Sequence, residues 1–179
     1  MRLGVDTIDL YLLHWRGPIP PAETLEAFAA LAGAGKIRNW GVSNFDVTDL
    51  EELIELPSGD EMSTDQVLYN LQNHGIEFDL LPWCDRRSVP IMAYSPIEQG
   101  RPLTKPALRS VAARHRPTPA QAALAWVLRR NDVCAIPRAS RLERVRENRA
   151  ALNTHLSAAD LAELDRAFPP PDRKLPLAV

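Results

Sequence analysis

The sequence predicts an α/β fold, a partial (β/α)8 TIM-type barrel of about five parallel strands with flanking helices. Three observations predict it. Short β-rich apolar runs alternate with helical patterns almost throughout, which is how βαβ units on a parallel sheet read. No Gly-x-Gly-x-x-Gly follows any strand and there is no Walker loop, which removes the doubly wound nucleotide-binding folds. Polar residues gather where strands end, at His14, Ser43-Asn44, Asn70, Tyr94-Ser95 and Arg138. In a (β/α) barrel those C-terminal strand ends build the catalytic face.

Each element has its own local reason. Ile8 to His14 is an apolar, strand-like run in which Ile8, Leu10, Leu12 and His14 share one face, with Tyr11 and Leu13 on the other. The first face is expected to line the barrel lumen. Pro21 to Ala34 carries Leu25, Phe28 and Leu31 at helical spacing and stops at Gly33/Gly35. Ile37 to Ser43 is a second strand, and Asp46 suits the N-cap of a helix bearing Leu50, Leu53 and Ile54. A third strand covers Gln66–Tyr69, a third helix Phe78–Arg87, and a fourth strand Ile91–Tyr94, closed by Ser95-Pro96. Helices at 108–115 and 119–130 precede a fifth strand at 133–136, which Pro137 closes. Two more helices follow, at 141–152 and 158–168. Ser140 with Glu143 three residues on is a capping-box pattern for the first of these.

Composition bounds the function classes. The chain has 179 residues, 45% hydrophobic and 25% charged, as in ordinary soluble globular proteins. No apolar run approaches the roughly 20 residues that span a bilayer, and no basic stretch followed by an apolar one marks a signal peptide. Cys84 and Cys134 belong to no metal-spaced cluster and are expected to be buried thiols in a reducing cytoplasm. The net charge of −2 is unevenly spread: 6 Lys/Arg against 16 Asp/Glu in residues 1–100, but 12 against 3 in residues 101–149. A basic block within an acidic chain points to a local anionic ligand and away from nucleic acid along the whole surface.

The ordered motifs resemble those of the aldo-keto reductase family. They are Leu3-Gly4-Val5-Asp6-Thr7-Ile8-Asp9-Leu10-Tyr11-Leu12-Leu13-His14-Trp15, then Gly35-Lys36-Ile37-Arg38 leading to Gly41-Val42-Ser43-Asn44-Phe45. Gln66-Val67-Leu68-Tyr69-Asn70, Ala93-Tyr94-Ser95-Pro96 and Ala135-Ile136-Pro137-Arg138-Ala139-Ser140, running on to Glu147-Asn148, complete the set. The resemblance covers nearly the whole chain and corresponds to the C-terminal two-thirds of such an enzyme. It implies NADP(H)-dependent reduction of aldehydes or ketones to alcohols.

The resemblance also implies roles. Of the family's Asp, Tyr, Lys and His tetrad, only His14 falls within this chain. His14 is the implied catalytic residue, beside the substrate carbonyl, and Trp15 a wall of the substrate pocket. Ser43, Asn44 and Gln66 would hold the nicotinamide carboxamide, Tyr94 would stack on its ring, and Ser95 with the loop to Gly100 would pass over the pyrophosphate. Arg138 and Arg144 would meet the 2′-phosphate with Ser140 nearby, since guanidinium forks suit phosphate, and Glu147-Asn148 would hold the adenine. Arg138 stands where many members have Lys, Ala139 where many have Ser, Asp65 where Asn is common and Asn70 where His is frequent.

The expectation is therefore a single truncated barrel domain over residues 1–179, with 169–179 a Pro-rich tail, cytoplasmic and impaired in catalysis. Its small partner is a carbonyl substrate. Two open sheet edges point to self-association. The alternatives are a non-catalytic NADP(H)-binding module and a half-barrel that assembles with a partner chain. His74, His115 and His155 are expected to be structural or exposed, and Arg141, Arg146 and Arg149 to be surface charges.

Overall fold

A computed structural model describes residues 3–115 and 117–178. Five strands, β1 (Ile8–Leu13), β2 (Ile37–Ser43), β3 (Asp65–Leu68), β4 (Ile91–Tyr94) and β5 (Val133–Ala135), form one sheet in the order β1-β2-β3-β4-β5, every neighbouring pair parallel. Sequential order with helical crossovers is the topology of a barrel wall, and the sheet here is a partial barrel. Seven helices flank it: α1 (Pro21–Gly33), α2 (Val47–Ile54), α3 (Leu80–Arg86), α4 (Pro106–His115), α5 (Pro119–Val127), α6 (Leu142–Ala150) and α7 (Ala158–Ala167).

The register sorts side chains between two faces. Tyr11 lies opposite Trp40, Leu12 opposite Gly41 and Leu13 opposite Val42. Trp40 stacks on Phe28 of α1 at 5.2 Å, and Tyr11 meets the same ring edge-on at 6.1 Å, so these residues face the helices. Alternation puts Leu10, Leu12, Gly41, Ser43, Gln66, Leu68, Met92, Tyr94 and Cys134 on the lumen face, as the period-two reading of the first strand requires. The helix-facing side holds the core, with Val42, Val67, Ile91, Ala93, Leu50, Leu81, Leu124 and Trp126 all buried.

Local chemistry explains where elements begin and end. Asp46, Thr118 and Ser157 cap α2, α5 and α7, each in a reciprocal capping box with the residue three positions on. Helix α3 begins at Leu80, because Asp79 accepts the Leu80 N–H and a 3-10 turn at Gly75–Glu77 precedes it. Helix α5 stops at Val127. Arg129, expected within it, turns back over the Trp126 ring at 3.8 Å and donates to Glu77 at 2.6 Å and to the Tyr69 hydroxyl at 3.0 Å.

Two expectations need correction. The capping box at Ser140 and Glu143 does not form: the backbone stays extended through Arg141, which is the N-cap of α6 without a side-chain hydrogen bond. Cys84 is buried, but Cys134 is exposed, since it lies on the lumen side of a strand paired on one edge only. His115 has a partner the sequence did not suggest, its Nε2 lying 2.7 Å from Asp160, and His74 packs edge-on against Trp126 at 5.4 Å.

Candidate active site

The polar strand-end residues converge through one side chain. Asn44 follows the last residue of β2 with φ 62°, a left-handed conformation that a non-glycine residue adopts at a cost of about 1 kcal/mol. That turn aims its amide across the sheet. Its Nδ2 donates to the His14 carbonyl at 3.2 Å and to Ser43 Oγ at 3.1 Å, while its Oδ1 accepts from the Tyr94 hydroxyl at 3.1 Å. The Ser43 hydroxyl donates to the Gln66 carbonyl at 2.7 Å. Ser43, Asn44 and Tyr94 are thereby joined through side chains, and His14 and Gln66 through their backbone carbonyls.

The loops around this cluster are pinned. His14 and Trp15 are exposed, with rings stacked at 5.7 Å, and the loop they begin is anchored by ion pairs from Arg16 to Asp49 and Glu52 of α2. Ser95 also has a positive φ, 47°. Asn70 holds it in place: buried at the end of β3, its Nδ2 donates to the Ser95 carbonyl at 3.0 Å and to Glu98 at 2.8 Å. Its Oδ1 accepts the backbone N–H groups of Gln72 and Asn73. This positioning role was missed in the sequence, where the strand-end location of Asn70 was its only signal. Burial pushes the Tyr94 hydroxyl pKa up, helped by the nearby Glu98 and Asp65 carboxylates, so the phenol keeps its proton.

The second group of predicted residues lies beyond β5. Arg138 and Ser140 are exposed in the loop that leaves the sheet beside β4. Arg144, Glu147 and Asn148 lie on α6, where Arg144 pairs with Glu147. Glu147 is largely covered, and it also accepts the Thr118 hydroxyl at 2.8 Å.

The C-terminal tail, which sequence alone left without a role, folds back over the same end of the sheet. Lys174 bridges Asp79 at 3.3 Å and Asp46 at 3.9 Å, and a cavity of about 180 Å³ lies between the tail and Leu68, Gln72, His74 and Ile76. No group of His, Cys, Asp and Glu able to hold a metal ion occurs among the described residues. Among the same residues, no helix is long and apolar enough to cross a membrane.

The chain has close counterparts among known proteins. The aldo/keto reductase family model matches residues 1–168, and the chain belongs to that family. It is 46% identical to the methylglyoxal reductase YeaE of Escherichia coli over 98% of this chain and 64% of that protein. It is 33% identical to an NADH-specific methylglyoxal reductase of the same organism, over 89% of this chain and 58% of that one. An aldo-keto reductase from Klebsiella pneumoniae, solved with NADPH and again with NADP and acetate, is 48% identical, with TM-scores of 0.95 and 0.97. The match covers 99% of this chain and 64% and 65% of those structures. The chain therefore spans somewhat less than two thirds of the length of these relatives.

Proposed function

We propose that this chain forms the cofactor- and carbonyl-binding part of an NADP(H)-dependent aldo-keto reductase site acting on small aldehydes or ketones, with 2-oxoaldehydes such as methylglyoxal as the substrate class. The observation that carries this reading is the convergence of the His14 backbone carbonyl, the Ser43 hydroxyl and the Tyr94 hydroxyl on the Asn44 amide, with Ser43 in turn bonded to the Gln66 carbonyl. The relatives named above and the family's motifs support it.

The donor set fits the cofactor. Ser43, Asn44 and Gln66 present hydroxyl and amide groups suited to a carboxamide, and Tyr94 offers a flat ring at a strand end. Arg138 and Arg144 are both exposed and offer two fixed positive charges to a 2′-phosphate. When bound, NADPH supplies the hydride. In this reading His14, one residue beyond β1, would donate a hydrogen bond to a carbonyl oxygen as negative charge develops there, with Trp15 as a wall beside it. A reducing cytoplasm suits the two free thiols.

A proton donor is the part that these residues do not provide, and this favours a second reading, a module that binds the cofactor without turnover. Each of the three tyrosines is committed elsewhere. Tyr11 packs on Phe28 outside the lumen, and Tyr69 is buried with Glu77 and Arg129, its pKa driven far up by burial. Tyr94 donates to Asn44. A positioned acid contributes roughly 10²–10⁴-fold in rate.

Titration with NADPH and, in parallel, NADH, followed by tryptophan fluorescence, tests the cofactor reading. The expected result is saturable quenching with NADPH bound more tightly than NADH. Absence of binding overturns it. Oxidation of NADPH in the presence of methylglyoxal then separates the two readings: turnover supports the reductase, and binding without turnover supports the module.

A further inference from the structure

We propose that Thr118 and Gln121, at the start of α5, are positioning residues that hold the Glu147 carboxylate where it selects an adenine base. This rests on the cofactor reading above. The two helices meet through a closed set of hydrogen bonds. Thr118 Oγ1 donates to Glu147 Oε1 at 2.8 Å, and Gln121 Nε2 donates to the Glu147 carbonyl at 3.0 Å. The same two residues form a capping box with each other: the Thr118 N–H donates to Gln121 Oε1 at 2.8 Å, and Thr118 Oγ1 accepts the Gln121 N–H at 3.3 Å.

Every polar atom of the Gln121 amide is thus engaged, and its rotamer is set by the cap and by the α6 backbone together. The Thr118 hydroxyl is likewise used twice, accepting from its own helix and donating to Glu147. On the other side Arg144 pairs with Glu147 Oε2. Each carboxylate oxygen therefore has one defined donor and lone-pair capacity left to accept another. The Thr118 hydrogen bond is the foremost influence holding the Glu147 pKa below the usual carboxylate range, with Arg144 next. A carboxylate that is ionised and fixed in orientation accepts from an exocyclic amine and disfavours a carbonyl oxygen at the same position. Adenine carries that amine at C6, and hypoxanthine carries an oxygen there.

The α6 sequence cannot hold Glu147 in this way by itself. Helix α6 has no buried residue and no side-chain N-cap, so the contacts with α5 fix its orientation. Glu147 is placed by residues 26 and 29 positions earlier in the chain.

The test compares binding of NADPH with binding of its hypoxanthine analogue, by calorimetry, for the unaltered chain and for Thr118→Asp and Thr118→Ser. Asp is at least as good an N-cap as Thr, so T118D keeps α5 capped while removing the donor and placing a second negative charge beside Glu147. The unaltered chain is expected to prefer NADPH by about tenfold or more, the worth of one hydrogen bond to a charged acceptor. T118D should lose most of that preference, and T118S should retain it. Equal weakening of both ligands in T118D would show a merely structural role and overturn the proposal, as would an unchanged preference. Should T118D fail to fold, Gln121→Leu with the same two ligands gives the same readout. No binding of NADPH by the unaltered chain would instead overturn the cofactor reading itself.

Discussion

At the scale of single residues, the chemistry turns on polar groups that occupy unusual surroundings. Asn44 accepts a left-handed backbone so that one amide can bridge His14, Ser43 and Tyr94. Asp65 is the opposite case, a carboxyl on the helix-facing side of β3 with no hydrogen bond to either oxygen among the described residues. Burial pushes it up to about 8, the Phe45 backbone N–H acting the other way. The folded state therefore favours the neutral acid, and the sign follows. Stability is fullest below the ordinary value near 4, falls as pH rises towards about 8, and levels off above it. Asp65→Asn should raise the urea midpoint at pH 8 and leave it nearly unchanged at pH 4. Equal midpoints for the two proteins at pH 8 would show that Asp65 is not the neutral acid described.

At the scale of elements, packing between strands decides what the site can tolerate. A Cβ on Gly41 would lie 2.6 Å from the Thr64 carbonyl oxygen and 2.8 Å from Leu12 Cδ2. The first neighbour is backbone of the segment entering β3, so it cannot swing aside, and β2 would have to move away from it. Ser43 and Asn44 are two and three residues further along that strand. Gly41→Ala should therefore cost about 1–3 kcal/mol, the usual range for overpacking, and weaken NADPH binding as well. Thermal melting together with the fluorescence titration checks both, and an unchanged melting temperature would mean that the two strands separate without strain. The outer layer is tied differently. Arg129, Tyr69, Glu77 and Trp126 join α5 to the turn after β3. Burial alone would raise Glu77, yet hydrogen bonds from Tyr69 and Arg129, with the His74 ring 3.6 Å away, hold it at about 2. That network lends stability above the ordinary glutamate range and loses it as pH falls towards 2.

At the scale of the whole molecule, the sheet has one covered face and one open face. Leu10, Leu12, Leu68 and Met92 line the lumen partly exposed, and among the described residues β1 and β5 each pair on one side only. Beside β5 a hollow of about 570 Å³ is lined by Leu124, Val133, Ala135, Val145 and Leu152, and the last two are about half exposed. Unpaired parallel edges beside exposed apolar surface favour association. Light scattering on the purified chain should report a mass above that of a monomer, rising with concentration. A monodisperse monomer that melts cooperatively would show that the open face is tolerated as it stands.

The sequence by itself determined the type and order of all five strands and seven helices, and which residues end up at the C-terminal edge of the sheet. Those features depend on spacings of two to four residues, on caps such as Asp46 and on prolines such as Pro137, all readable locally. Tyr11 facing away from the lumen follows from the same alternation, whereas His14, expected to end the first strand, lies one residue beyond it. Failures came where neighbours distant in the chain outweigh local preference. Ser140 has the pattern of a cap, but the chain stays extended one residue longer. Arg129 reads as helix until Glu77 and Tyr69 draw it out. Only the tertiary structure decided that Asn44 joins three strand ends, that Thr118 and Gln121 hold Glu147, and that Lys174 ties the tail to Asp46 and Asp79. These hydrogen bonds and ion pairs link residues that are 26 to 128 positions apart. Sheet register and helix docking set such pairings, and neither is encoded in the few residues on either side.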